Sequence, residues 1–94
     1  MQLVGKNRLY AQKMRHAECQ KQLSAWEAEI ASAEWGSPSD LKLRYPTASI
    51  LHGNQVVFNI KGNKYRLLTK ISFKNAIVTV INFGTHSEYS KWKL

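Results

Sequence analysis

The sequence predicts an α+β fold in which two amino-terminal helices pack on a small antiparallel sheet and a short helix lies at the carboxy-terminal side. Three observations predict it. Leu23, Trp26, Ile30 and Ala33 recur at spacings of three and four, with Lys21, Glu27 and Glu29 between them, which is one amphipathic helix face in need of a surface to cover. From Ala48 onward the texture changes to β-branched and aromatic residues punctuated by turn signals. Gly62-Asn63 is a hairpin turn, and it sets Asn59 across from Arg66 and Lys61 across from Lys64.

Taken in order, Gln2 to Val4 reads as a short opening strand. Leu9, Tyr10, Met14 and Ala17 give a weaker helical stripe, so residues 6 to 34 form two short helices or one bent one. Trp35-Gly36 ends that region. Ser37 is a good N-cap and Pro38 fits the first helical position, which starts a short helix reaching about Arg44. Tyr45-Pro46 stops it, because the residue before a proline is pushed out of the helical region. A short strand near 48 to 51, a His52-Gly53-Asn54 turn, and strands near 55 to 61, 64 to 73 and 76 to 83 follow as an antiparallel meander.

Alternation along the 64-to-73 strand puts Lys64, Arg66, Leu68 and Lys70 on one face. Tyr65, Leu67, Thr69, Ile71 and Phe73 take the other, facing the helices. A tight turn at Lys74-Asn75 would lay Arg66 opposite Phe83, a few residues from His86. Thr85 can cap a short helix holding His86, Tyr89 and Lys91. Residues 1 to 94 read as one domain, since 94 residues suffice for a single modest core.

The formal charge of +8 is unevenly spread. Residues 41 to 94 carry nine Lys or Arg against Glu88, whereas residues 1 to 34 carry five against four Glu. Such an imbalance favours a polyanionic partner: nucleic acid, an anionic membrane surface or an acidic protein. No apolar run approaches the roughly 18 residues of a membrane span, and a secretion signature is missing at the amino terminus, so the expectation is a cytoplasmic protein that does not engage membranes. Cys19 is alone, which excludes an internal disulfide, and with His16 it offers too few ligands for a structural zinc site. Neither a metal nor an organic cofactor is expected.

Like charges directly opposite one another destabilise a strand pair, so Lys61, Lys64 and Arg66 crowded on one patch point to a bound anion, most naturally a phosphate. Asn59, Lys64 and Lys70 extend that patch, and Lys91 and Lys93 flank it from the tail as candidate RNA-binding residues. RNA cleavage without a metal needs a base for the ribose 2′-OH, neutralisation of the charged transition state and a proton for the leaving 5′-oxygen. Arg66 suits the second task because a guanidinium gives two parallel hydrogen bonds to phosphate oxygens. A histidine ordinarily titrates near neutrality, which suits His86 to proton transfer. Tyr89 can orient the ribose or stack on a base.

The same residues also have a purely structural reading. A basic sheet face can be solvated or simply bind nucleic acid, His86 can complete a helix cap, and Tyr89 can pack on the sheet edge. His52 reads as a surface turn residue, His16 as a helix residue without a chemical role, and Trp26 and Trp35 as core and helix-end anchors. Trp92, between Lys91 and Lys93, could dock on the domain, contact RNA or meet a partner.

Two segments together carry a family resemblance: Val-Val-Phe-Asn-Ile-Lys-Gly-Asn-Lys-Tyr-Arg-Leu at 56 to 67 and Phe-Gly-Thr-His-Ser-Glu-Tyr-Ser-Lys at 83 to 91. With Ala-Glu-Trp at 33 to 35 and Tyr-Pro at 45 to 46, the chain resembles the HigB family of toxins within the RelE-like superfamily. The resemblance implies a RelE-like α+β fold and the toxin of a type II toxin-antitoxin system, a ribosome-associated mRNA endoribonuclease (mRNA interferase) acting as a hydrolase on mRNA at the 70S ribosome. Translation inhibition would follow. It further implies a cognate HigA-type helix-turn-helix antitoxin, with operator DNA contacted through the antitoxin alone. By motif, Lys61, Arg66, His86 and Tyr89 match the catalytic positions of the superfamily, and Ser90 stands where relatives often carry Asp.

Three functions therefore compete at this level. The leading one is metal-independent cleavage leaving a 2′,3′-cyclic phosphate and a 5′-OH. The others are a noncatalytic basic module gripping RNA or an acidic protein, and a gyrase-targeting toxin of the same superfamily.

Overall fold

The structure, a computed structural model, describes residues 1–92 and 94. Its strands are β1 (Gln2–Val4), β2 (Ser49–Ile50), β3 (Gln55–Ile60), β4 (Tyr65–Ser72) and β5 (Ile77–Thr85). Its helices are α1 (Lys6–Arg15), α2 (Gln20–Ser32), α3 (Pro38–Arg44) and α4 (His86–Tyr89), with a 3₁₀ turn at Ala17–Cys19 between α1 and α2. The sheet order is β1-β5-β4-β3-β2.

The fold is α+β, but its sheet is mixed rather than purely antiparallel. The meander β2-β3-β4-β5 is antiparallel as expected, whereas β1 pairs parallel with β5, Leu3 lying beside Val78. A parallel neighbour requires a long crossover, and here that crossover is almost the whole chain. Strand composition alone carries no sign of it.

The helix stripes divide unequally. Leu23, Trp26 and Ile30 of α2 are buried as their spacing requires. On α1 Leu9 alone is buried, and Tyr10 and Met14 stand 64% and 61% exposed, so the weaker stripe is not the inner face. Gln12, Lys13 and His16 turn partly inward instead, and Lys13 Nζ pairs with Glu27 of α2 at 2.5 Å. Between the helices, α3 begins as its residues dictate: Ser37 Oγ accepts from Asp40 N at 3.4 Å, with Pro38 in the first turn.

The core joins Leu9, Leu23, Trp26 and Ile30 to Phe58, Leu67, Ile71 and Val78 on one face of the sheet. Thr69, buried among them, donates its hydroxyl to the Val56 carbonyl at 2.9 Å, so its burial carries no unpaired polar group. Among the described residues no helix is long and apolar enough to cross a membrane.

Two local departures move the functional residues. The strands of the β3–β4 hairpin stop at Ile60 and Tyr65, because Lys61 adopts the left-handed region (φ 53°) and joins Gly62 (φ 66°) in the turn. Asn59 still pairs with Arg66. On the other side of β4 the register shifts between Leu68 and Thr69: Thr69 faces Val80 but Leu68 faces Asn82, leaving Ile81 as the extra residue of a bulge. Arg66 consequently faces Gly84, not Phe83. A bulge re-aims every residue beyond it, so Phe83 falls in with Leu67 on the inner face.

Leu67 is fully buried at the centre of the sheet, whereas Leu43 on α3 is 84% exposed. Leu67→Ala is expected to lower stability by about 2–5 kcal/mol, and Leu43→Ala to change it by less than about 0.5 kcal/mol. Urea unfolding of both variants checks this, and equal midpoints would contradict the described core.

Candidate functional site

The site forms where the β3–β4 hairpin meets the start of α4. Arg66 sits on the outer face of β4, and the hairpin turn holds its guanidinium from behind: Nη1 donates to the carbonyls of Asn63 at 3.0 Å and Tyr65 at 3.3 Å. Its Nη2 donates to His86 Nδ1 at 3.0 Å, and its guanidinium carbon lies 5.6 Å from the centre of the Tyr89 ring. Of the five N–H groups of the side chain, Nε–H and a second N–H on Nη2 thus have no protein acceptor among the described residues. Two donors are open to a ligand, enough for the paired hydrogen bonds that a guanidinium makes to a phosphate or carboxylate.

A guanidinium can only donate, so Nδ1 of His86 offers its lone pair in this contact. Protonating Nδ1 would replace a hydrogen bond with two facing cations. The pair is therefore a self-satisfied arrangement that an anion at Arg66 can reopen.

The placement of His86 and Tyr89 follows from the strand and its cap. His86 N donates to the Lys64 carbonyl at 2.9 Å, which ties the first residue of α4 to the hairpin. Thr85 Oγ1 accepts from Glu88 N at 3.2 Å, and Glu88 Oε1 accepts from Thr85 N at 2.7 Å, a capping box that fixes the entry of the helix. The Thr85 backbone N–H foremost, then its hydroxyl, hold the Glu88 carboxyl below its usual range. Tyr89 meets Trp92 edge to face at 5.5 Å. Trp92 itself docks over Gly84, where a Cβ would stand 3.1 Å from its Cζ2 and as close to Glu88 Cβ. A glycine opposite Arg66 thus leaves room for the tail to fold back onto the sheet.

Of the residues singled out from sequence, Arg66, His86, Tyr89 and Asn59 come together, Asn59 Nδ2 donating to Asn63 Oδ1 at 3.4 Å beside the arginine. Lys64 joins through its backbone. Lys61 does not lie across from Lys64 on one strand face: its left-handed conformation places it on the α2 side of the hairpin tip, lining a cleft with Gln22 and Trp26. Lys70 shares the face of Arg66 but is four residues along β4, about 13 Å away, between Gln55 and Thr79. Lys91 is exposed just past α4. Lys93 lies outside the described residues.

Leu68, between Arg66 and Lys70, is 4% exposed, as Val57 beside it is 1%, so the outer face is not uniformly cationic. A buried apolar pair divides it.

Sequence reasoning missed Asn63, whose carbonyl anchors Arg66, and Gly84. The signal for Gly84 was present as the one small residue in Phe-Gly-Thr, but the bulge that places it could not be read. His16, assigned no role, caps the end of α1 with its ring 5.2 Å from Tyr65 and 5.4 Å from Phe83 and its Nδ1 3.6 Å from Glu18. Cys19 is completely buried beside it, and burial pushes its thiol pKa up, which suits packing rather than nucleophilic attack.

The hairpin, the facing arginine and histidine, and the ring beneath them define a basic, sheet-borne site for an anionic ligand. Residues 19–92 match the family described as HigB_toxin, RelE-like toxic component of a toxin-antitoxin system, and the chain belongs to that family. It is a toxin of a toxin-antitoxin system, and membership implies a cognate antitoxin as partner. Comparison with curated proteins gives no match.

Tyr65, next to Arg66, donates its hydroxyl to the Glu18 carboxylate, which pushes its pKa up to about 12 and draws Glu18 below its usual range. A phenol whose pKa is raised by folding stabilises the fold below its unfolded value of 10.0 and loses that contribution as pH rises to about 12. Tyr65→Phe is therefore expected to flatten the fall of the urea midpoint between those two values and to remove a late phenolate step near pH 12 from the absorbance titration. Persistence of that step in the variant would show that Tyr65 is not its source.

Proposed function

We propose that this toxin is a metal-independent mRNA endoribonuclease acting at the ribosome. The observation that carries the proposal is the contact of Arg66 Nη2 with His86 Nδ1 at 3.0 Å over the Tyr89 ring, which joins a phosphate-binding group, a proton-transfer group and an aromatic platform. Its basic composition supports a nucleic-acid target.

In this reading the scissile phosphate takes the two free N–H groups of Arg66, and negative charge developing on its oxygens strengthens those bonds in the transition state. Drawing the guanidinium onto the phosphate loosens its bond to Nδ1 and returns the lone pair of His86 to the substrate. The freed imidazole accepts the 2′-OH proton, the 2′-oxygen attacks phosphorus in line, and the 5′-oxygen leaves with a proton from solvent or from a neighbouring acid. The products are a 2′,3′-cyclic phosphate and a 5′-hydroxyl. Tyr89 orients the ribose or stacks on a base from below Arg66. Lys61 adds positive potential from the hairpin tip, and Asn59, Lys64, Lys70 and Lys91 extend the track for the RNA backbone.

Arg66→Ala is expected to lower transcript cleavage on programmed ribosomes by about 100-fold or more, and His86→Ala by a comparable factor of about 100 or more. Lys70→Ala should act chiefly through the salt dependence of binding, and EDTA should leave the rate of the unaltered protein unchanged. Undiminished cleavage by both Arg66→Ala and His86→Ala would remove the assignment, and RNA that is protected but never cut would identify a noncatalytic binder.

A further inference from the structure

A second site lies on the opposite side of the hairpin, at the edge of β3. Strand β2 is two residues long and covers β3 at Val56 and Val57, so among the described residues the edge of β3 beyond Val57 has no neighbouring strand. The direction of the backbone there follows from two bonds. Asn54 C=O accepts from Ile71 N toward β4 at 2.9 Å, and Gln55 C=O accepts from Leu51 N toward β2 at 2.8 Å. Odd-numbered residues thus turn their N–H and C=O to the outer edge, and those of Asn59 have no strand partner there among the described residues.

That open stretch borders a cleft of about 250 Å³ lined by Ala25, Trp26, Tyr45, Ile60 and Lys61. Its wall is largely apolar, and Trp26, one of its lining residues, is 98% buried with an indole N–H that has no acceptor among the described residues. Its charge is cationic at the mouth. Glu29 is consumed by Arg44 and by the Tyr45 hydroxyl at 3.1 Å, whereas Lys61 makes no ion pair among the described residues.

We propose that this edge binds an extended, acidic peptide segment of a partner protein as an additional strand along β3. An unpaired N–H and C=O beside a strand end are what an incoming backbone engages, and apolar side chains alternating along it fill the cleft. Acidic side chains at its other positions answer Lys61 and the net charge of +8. A nucleic acid fits less well, since it has no alternating N–H and C=O to offer Asn59, Trp26 is buried, and the Arg44 guanidinium already lies over the Tyr45 ring, 5.0 Å from its centre. A strand laid here ends at the turn whose Asn63 carbonyl holds Arg66, which couples the edge to the site without occupying it.

The test is NMR titration of the full chain with three probes: a blocked ten-residue peptide of alternating Glu and Val, its Lys-Val counterpart, and a ten-nucleotide oligoadenylate. The Glu-Val peptide is expected to shift the Asn59 and Ile60 amides and the Trp26 indole N–H, and to slow exchange of the Asn59 amide at least ten-fold. The Lys-Val peptide should leave them in place. Ala25 is exposed on α2, so Ala25→Glu should fold, repel the acidic peptide and weaken its binding at least ten-fold, while Ala25→Gln retains it. Unmoved signals at millimolar Glu-Val peptide, or shifts produced by the oligonucleotide in its place, would overturn the proposal. Ala25 has no part in the Arg66 site, so cleavage by Ala25→Glu reports on the ribonuclease reading separately.

Discussion

The pairing of β4 with β5, and the single extra residue within it, is the constraint on which the rest depends. Strand β4 is held on both sides, by β3 and by β5, and carries the centre of the core on one face and Arg66 on the other. Without the bulge at Ile81 the outer face would present Phe83 beneath the arginine. With it, Phe83 stacks on Tyr65 inside, their ring centres 5.4 Å apart, and Gly84 takes the outer position. A slip of one residue therefore separates a site in which the tail folds back over a glycine from one obstructed by an aromatic ring.

The electrostatics follow from the same geometry. Arg66 is anchored by two backbone carbonyls that cannot titrate or swing away, so its position does not depend on a carboxylate partner. Among the described residues no carboxylate pairs with it either, and its charge remains available to an anion. The acidic residues of this end are engaged elsewhere: Glu88 closes the capping box, and Glu18 accepts from Tyr65. An unsatisfied carboxylate beside the arginine would compete with phosphate, and the fold employs its own in structural roles.

Much of this was legible in the sequence. The spacing of Leu23, Trp26 and Ile30, the Ser37-Pro38 start of α3, the Asn59–Arg66 register and the Thr85 cap each rest on local rules, and each is found in the structure. The resemblance to HigB toxins is supported by the family match over residues 19–92. What escaped was nonlocal or one residue in size. Parallel β1 pairs with a strand at the other end of the chain, the Ile81 bulge has no compositional mark, and Lys61 was given strand geometry although the turn extends to include it. Tyr10 and Met14 show the converse error, an apolar spacing that the fold leaves in solvent.

The parallel union of residues 2 to 4 with residues 77 to 79 also governs when the protein becomes complete. Closing so long a loop costs chain entropy before any contact repays it, and the strand that accepts β1 is the one that leads into His86 and Tyr89. During synthesis the amino-terminal strand and helices emerge long before their final neighbour exists. A nascent chain lacking its last segment holds an arginine with neither Gly84 nor His86 across from it, so the order of translation itself delays assembly of the Arg66 cluster until synthesis has passed β5 and α4.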